Sequence, residues 1–154
     1  MIRRAIPEDI SRIQDLLSQI DLIHHNGRPD LFKIGTKYTD SEICELLKDD
    51  SRPVFVYVDD DGLVLGYCFG IIEVIEGDNI RPYMKTFYID DLCVDETCRG
   101  QKIGRRLYEY VREYAKEIGC YHVTLNVWEM NPRARAFYES LNMKPLKTYM
   151  EDIL

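Results

Sequence analysis

The sequence lacks any long apolar run. No stretch approaches the roughly 20 consecutive apolar residues that a membrane-spanning helix needs, and the segment Met1–Arg4 lacks the apolar core of a signal peptide. We therefore expect a cytoplasmic protein with no membrane partner. Repeats, low-complexity segments and linkers are also missing, so we expect a single domain over residues 1–154.

The cysteines lack the spacing of a metal site or of a disulfide framework. There are five of them, an odd number, with neither CxxC nor CxxxH spacing: Cys44, Cys68, Cys93, Cys98 and Cys120. We expect reduced thiols and no metal.

A broad surplus of basic residues is missing as well. The formal net charge is −7, which argues against nucleic acid as a partner because binding to its phosphate backbone needs a wide basic face. Basic residues gather in one short stretch only: Arg99, Lys102, Arg105, Arg106 and Arg112. This asymmetry predicts one small polyanion, bound at one defined place.

Hydrophobic periodicity predicts a mixed α/β (α+β) fold, with a mixed sheet and helices on both faces. Helices are expected from Pro7 to about Ile23 and at Thr39–Lys48, Ile103–Ile118 and Arg133–Leu141. Strands are expected at Val54–Val58, Leu63–Ile75, Tyr83–Val94, Tyr121–Trp128 and Thr148–Leu154. Gly66 and Gly70 lie inside a strand and indicate a bulge or a close neighbour.

The stretch from Asp91 to Tyr108 leads from an apolar strand through a glycine-bearing turn into a basic helix. Unpaired N–H groups and the helix dipole favour an anion at such a helix start. The turn Arg99–Gly104 lacks the GKS or GKT ending of a P-loop and is not GxGxxG, which disfavours nucleotide hydrolysis and dinucleotide binding. A phosphate-binding turn is the prediction, and a plain helix start is the alternative.

Two acids, Asp90 and Asp91, interrupt the apolar strand before that turn. Side chains alternate across a strand, so we expect the two carboxylates on opposite faces of the sheet. A carboxylate on a covered face needs a partner, a ligand or a chemical role. The alternative for each acid is a salt bridge to a basic side chain.

These residues resemble the GCN5-related N-acetyltransferases (GNAT family). Leu92-Cys93-Val94 ends the strand as in that family, and Arg99 and Gly104 fill the outer positions of its acetyl-CoA signature, with Lys102 where the middle glycine is usual. A second motif, from Asn131 through Phe-Tyr138-Glu-Ser to Leu141, is similar too. The resemblance implies a mostly antiparallel sheet and acetyl-CoA as cosubstrate.

The resemblance also implies roles for individual residues. Tyr138 would protonate the leaving thiolate. Asp91 and Asp90 would draw in the amine and are the candidates to accept its proton, with Glu73 and Glu129 as further candidates. The acetyl-CoA site would be formed by Leu92, Cys93, Val94, Arg99, Gly100, Gln101, Lys102, Ile103, Gly104, Arg105 and Asn131. A homodimer is common in the family.

The acceptor is the open question. Peptide acetyltransferases of this family often carry a glutamate five residues before the asparagine, where this chain has Asn126. The segment Ile89–Leu92 instead resembles the acidic pair of polyamine acetyltransferases. We therefore expect a small cationic amine as acceptor, in a pocket shaped by loops 23–38 and 76–82. A peptide or protein amine, or a non-catalytic acyl-CoA-binding module, are the alternatives.

Overall fold

A five-stranded sheet in the order β1-β2-β3-β4-β5 organises the chain. The computed structural model describes all 154 residues. The strands are β1 (Ile2–Arg4), β2 (Val54–Val58), β3 (Val64–Ile75), β4 (Met84–Val94) and β5 (His122–Leu125). Neighbouring strands are antiparallel from β1 to β4, and β5 runs parallel to β4. This arrangement confirms the predicted mixed, mostly antiparallel sheet.

Helices cover both faces of the sheet, as the periodicity predicted. They are α1 (Ile10–Gly27), which follows a short 3₁₀ turn, α2 (Asp40–Leu46), α3 (Ile103–Glu117) and α4 (Pro132–Ser140). The apolar stripes of α1 and α2 form one core, which includes Ile13 and Ile43. On the other face, α3 buries Val111 and Ala115 against Phe87 of β4. None of the four helices has the length and apolar character needed to span a membrane.

The last expected strand, Thr148–Leu154, is absent. Residues 144–154, here called the C-terminal tail, make no backbone–backbone hydrogen bond, and their large apolar side chains are exposed. An ion pair between Arg28 and Glu151 connects the tail to the end of α1. The tail has the composition of a strand, but it lies beside no strand of its own chain with which it could pair.

A β-bulge in β4 sets the geometry of the acidic pair. In the β3–β4 ladder Phe69 pairs with Asp91 and Gly70 pairs with Ile89, so Asp90 is the extra residue. Gly70 is required beside the bulge, because a Cβ atom there would lie 2.2 Å from Cζ of Phe87. The bulge and the close neighbour expected at Gly70 are therefore both present.

β4 and β5 diverge just beyond this bulge. Their last pair is Ile89 with Leu125, whereas β4 continues to Val94. The backbone of Asp90–Val94 consequently has no strand partner on its β5 side. An extended ligand with amide groups can bind to such an open strand edge.

Candidate active site

Both carboxylates of the acidic pair face α1, so the prediction of opposite faces is wrong. Asp91 Oδ2 accepts a hydrogen bond from the Tyr67 hydroxyl at 3.1 Å, and Asp90 accepts one from the Tyr38 hydroxyl. Both tyrosine rings pack on Phe69, with ring centroids 5.1 and 5.3 Å away, in the core under α1 and α2. The bulge is the cause, because one inserted residue interrupts the alternation of side chains.

Asp91 is the carboxylate without a cationic partner. Burial raises its pKa to about 7, and the negative charges of Asp21 and Asp90 raise it further. The charge of Lys37 and the hydrogen bond from the Tyr67 hydroxyl lower it, but by less. A carboxylate with this pKa gains and loses a proton near neutral pH. Asp91 can therefore act as a general base under physiological conditions.

Asp90, by contrast, is ion-paired, which was the alternative for each acid. The Lys37 ammonium lies 3.0 Å from Asp90 Oδ1 and donates to the Asp90 carbonyl oxygen at 3.1 Å. The Lys37 amide donates to Asp21 Oδ2 at 2.7 Å. The carboxylates of Asp21, Asp90 and Asp91 and the ammonium of Lys37 thus lie together beside the open edge of β4.

The sequence argument missed four residues of this cluster: Asp21, Lys37, Tyr38 and Tyr67. Only Asp21 left a signal, because it lies four residues after the buried Leu17 and so on the same stripe of α1. An acid at such a position is out of place unless it has a partner. Lys37 and Tyr38 come from the loop before α2, so part of loop 23–38 contacts the acidic pair.

The basic turn before α3 presents a row of free amides. Lys102 begins the helix in the left-handed conformation with φ 61°, the conformation that a glycine would adopt most readily. No oxygen of the chain accepts a hydrogen bond from the amides of Lys102, Ile103, Gly104 or Arg105. The arginine and lysine of the turn, Arg99 and Lys102, have no carboxylate within ion-pair distance. Free amides and unpaired cations at a helix N-terminus fit a polyphosphate.

The other residues predicted around acetyl-CoA have different surroundings. Ile103 buries its side chain, so that only its amide is available, while Gly100 and Gln101 lie exposed in the turn. Arg105 donates to the Ser140 carbonyl oxygen at 3.2 Å, which ties α3 to α4. On β4, Leu92 and Val94 are half-buried, and burial raises the pKa of the Cys93 thiol to about 12. Their backbone edge, rather than their side chains, faces the opening between the strands.

The two sequence motifs contact each other directly. Gly104 in α3 faces Phe137 in α4, and a Cβ atom at Gly104 would lie 3.1 Å from Cζ of Phe137. Asn131 caps α4, since its Oδ1 accepts from the Ala134 amide at 3.2 Å. The glycine of the first motif thereby allows the second motif to approach the start of α3.

Tyr138 lies on α4 near the carboxylate cluster. Burial raises the pKa of its phenol, and nearby Cys68, Asp91 and Cys93 raise it further. Its hydroxyl has no hydrogen-bond partner within the chain, in contrast to the hydroxyls of Tyr38 and Tyr67. Tyr138 is therefore a protonated phenol at neutral pH with a free O–H group.

An aromatic cluster adjoins the acids. The Phe32 ring stacks on His24 at 5.0 Å between centroids and meets the Trp128 ring edge-on at 5.1 Å. Burial lowers the pKa of His24, and the Asp21 carboxylate opposes that effect, which places the cluster close to the acidic group. No group of three or more His, Cys, Asp or Glu side chains is arranged to hold a metal ion.

Comparison with known proteins identifies relatives over part of the chain. Glucosamine 6-phosphate N-acetyltransferase of Arabidopsis thaliana is 33% identical over 70 residues, which are 46% of this chain and 45% of that protein. Thialysine N-epsilon-acetyltransferase of Bos taurus is 34% identical over 62 residues, 40% of this chain and 36% of that protein. The matched region thus spans less than half the length of these curated relatives.

A solved structure matches the whole chain. A crystal structure of a mutant BH1408 protein from Bacillus halodurans superposes with a TM-score of 0.96 at 32% identity, over 100% of this chain and 99% of that chain. Residues 20–143 also match the sequence model described as the acetyltransferase (GNAT) family. This match covers most of the chain and includes both motifs, so the chain belongs to the acetyltransferase (GNAT) family, as the residues around Gly104 and Tyr138 predicted.

Proposed function

We propose that this protein transfers the acetyl group of acetyl-CoA directly to the primary amine of a small cationic acceptor. The observation that carries the proposal is the bulge at Asp90, which places two carboxylates beside the open edge of β4. An amine drawn to these carboxylates lies next to the strand edge on which the thioester arm would bind.

Residues of this chain fit acetyl-CoA on both its charged and its extended parts. The free amides from Lys102 to Arg105, with the side chains of Arg99 and Lys102, suit the pyrophosphate. The unpaired edge of Leu92–Val94 suits the amides of the pantetheine arm, which would add to β4 as a further strand does. Asn131 keeps its side-chain amide group for the same arm while its Oδ1 caps α4. When bound, acetyl-CoA supplies the activated acetyl group.

The charges of the acceptor pocket favour a cation. Asp21, Asp90 and Asp91 face Lys37 alone, so an ammonium gains attraction there. A phosphorylated sugar, as in the name of the Arabidopsis relative, would bring negative charge to three carboxylates. The name of the thialysine relative specifies an amine acceptor and no phosphate, which agrees better with this pocket.

Two proton movements complete the proposed chemistry. An alkyl ammonium with a pKa of about 10.4 must lose a proton before it can attack, and Asp91, with its pKa raised to about 7, can accept that proton. Tyr138 can donate its free O–H to the sulfur. Because burial raises the pKa of this phenol, the thiolate must collect the proton as it leaves rather than afterwards.

We also propose that two copies pair through the C-terminal tail. The tail has eleven residues without a backbone partner and exposes Leu146, Tyr149, Met150, Ile153 and Leu154. The outer edge of β5 has no strand beside it, and the tail of a second copy can add there. Pairing of this kind would cover the exposed apolar side chains of both tails.

Release of CoA thiol from acetyl-CoA in the presence of an amine panel tests the proposed activity. The panel contains a linear polyamine, glucosamine 6-phosphate, and peptides with a free N-terminus or a lysine. We expect the polyamine to release thiol fastest, and Asp91→Asn and Tyr138→Phe to lose this release. Faster turnover of a peptide favours the peptide alternative. If acetyl-CoA raises the melting temperature but no acceptor releases thiol, the chain is an acyl-CoA-binding module.

A further inference from the structure

Lys37 places an amine of the chain itself inside the acceptor pocket. Its Nζ lies 3.0 Å from Asp90 Oδ1 and 3.1 Å from the Asp90 carbonyl oxygen. Its backbone is fixed by the bond from its amide to Asp21 and by the next residue, Tyr38, which bonds to Asp90 and stacks on Phe69. The lysine is therefore held in place from both sides, with its side chain still partly open to solvent.

The position of this ammonium coincides with the start of the open strand edge. Asp90 is the first residue of β4 beyond the last β4–β5 pair, Ile89 with Leu125. Leu92, where the proposed thioester site begins, lies two residues further along, about 7 Å away in a strand. The Lys37 amine thus has both features required of an external acceptor: it contacts the Asp90 carboxylate next to Asp91, and it lies beside the proposed acyl site.

We propose that Lys37 is a self-acetylation site, which receives the acetyl group of acetyl-CoA bound to the same chain. This inference rests on the proposed function. The Nζ lone pair of the neutral amine attacks the thioester carbonyl carbon, an N–C bond forms, and the C–S bond breaks with its electron pair on sulfur. The amine proton goes to Asp91, and Tyr138 donates a proton to the sulfur, so the products are an acetamide on Lys37 and CoA thiol.

The acetyl group removes the positive charge of Lys37. The ion pair with Asp90 is then lost, and the carboxylates of the pocket face an incoming cationic amine without an internal competitor. Self-acetylation would therefore increase the attraction of the pocket for an external amine.

Other lysines provide matched controls for the reaction. Lys48 and Lys116 also pair with a carboxylate, Glu45 and Glu113 respectively, both at 2.6 to 2.7 Å. Both are exposed, Lys48 in the turn after α2 and Lys116 on the surface of α3. Chemical acetylation by acetyl-CoA in solution would label such exposed amines, whereas transfer within the site would label Lys37.

The test incubates the full chain with acetyl-CoA and no external amine, followed by intact mass measurement and peptide mapping. We expect one added acetyl group at Lys37, formed at a rate constant independent of protein concentration and at least about 100-fold faster than at Lys48 or Lys116, the scale of a general base and acid. Lys37→Arg keeps the charge and should abolish the mass change. Asp91→Asn should slow the labelling about 100-fold without removing the lysine.

The outcomes separate this inference from the function on which it rests. Turnover of an external amine without label on Lys37 overturns self-acetylation alone. Equal labelling of Lys37, Lys48 and Lys116, or a rate constant proportional to protein concentration, also overturns it. Absence of both external turnover and self-labelling overturns the proposed function as well.

Discussion

Replacing Asp91 by asparagine should stabilise the fold at neutral pH while it removes activity. The Asp91 carboxylate is half-buried without a cationic partner, and burial raises its pKa to about 7 because the charged form is disfavoured in the folded state. Asparagine has nearly the same shape, and its side-chain oxygen can still accept the hydrogen bond that the Tyr67 hydroxyl now donates at 3.1 Å. The substitution therefore removes a buried charge and leaves the packing in place.

The magnitude follows from the pKa shift. A rise from the ordinary value of 3.8 to about 7 corresponds to about 4 kcal/mol of free energy, and partial access of solvent lowers the expected gain to about 2 kcal/mol. The folded state holds the extra proton, so the stability of the wild-type protein falls as pH rises from about 4 to about 7. The asparagine side chain of the variant does not titrate. The difference in free energy of unfolding between the variant and the wild type therefore grows as pH rises over this range and is complete above pH 7.

Urea unfolding at pH 5 and pH 8 measures the effect. We expect the free energy of unfolding of the variant to exceed that of the wild type by about 2 kcal/mol at pH 8, or about 4 to 8 °C in melting temperature, with a smaller excess at pH 5. Asp95→Asn is the matched control, because Asp95 is buried but accepts hydrogen bonds from Arg12 and Thr97. Burial alone would raise the pKa of Asp95. The hydrogen bonds from Thr97 and Arg12 outweigh this effect and hold the pKa below its ordinary value.

The control should change stability in the opposite direction. Removing the charge of Asp95 breaks its ion pair with Arg12, which keeps only a longer contact with Asp15 at 3.6 Å, and should cost about 1 to 3 kcal/mol. Two results would refute the reasoning about Asp91: a variant less stable than the wild type at pH 8, or a gain of equal size at pH 5 and pH 8.

Three further predictions concern the donor, the phosphate turn and the tail. Tyr138→Phe removes only the hydroxyl, so kcat should fall about 100-fold or more with acetyl-CoA binding retained in calorimetry, and an unchanged kcat would exclude Tyr138 as the proton donor. Lys102→Gly relieves a left-handed conformation at φ 61° and should raise the free energy of unfolding by up to about 1 kcal/mol. Lys102→Ala keeps the Cβ atom and should not raise the free energy of unfolding, so equal stability of the two variants would contradict the strain at this residue. Both variants should bind acetyl-CoA more weakly, because both lose the ammonium. Deletion of residues 144–154 should convert a dimer to a monomer in light scattering after size exclusion, whereas a monomeric full-length chain would rule out pairing through the tail.

The fold could be predicted from the sequence where the pattern is local. The stripe from Ile103 to Ile118 and the β-rich segment Val54–Val58 depend on side-chain periodicity within one element, and both were found with ends that agree within one residue. The glycine-bearing turn before α3 could be predicted for the same reason, since its glycines and cations are contiguous, and phosphate binding there stays a prediction. The left-handed conformation of Lys102 preserves this turn despite the missing glycine.

The rest depended on partners distant in the chain. A bulge exists only relative to the neighbouring strand, so the extra residue Asp90 could not be recognised before the pairing of Phe69 and Gly70 was known. Lys37 reaches the acids from 53 residues away, and no spacing rule connects the two. The tail failed as a predicted strand because its apolar composition says nothing about whether a strand lies next to it.

The pH dependence of kcat/KM for a linear polyamine decides whether Asp91 takes the proton of the amine. If it does, CoA thiol release should rise with pH through an apparent pKa near 7, as expected from the raised pKa of Asp91, and this step should disappear in Asp91→Asn. If instead both proteins show the same profile, governed by the amine alone with a pKa of about 10.4, or if no thiol is released at any pH, Asp91 is not the base of an amine acetyltransferase.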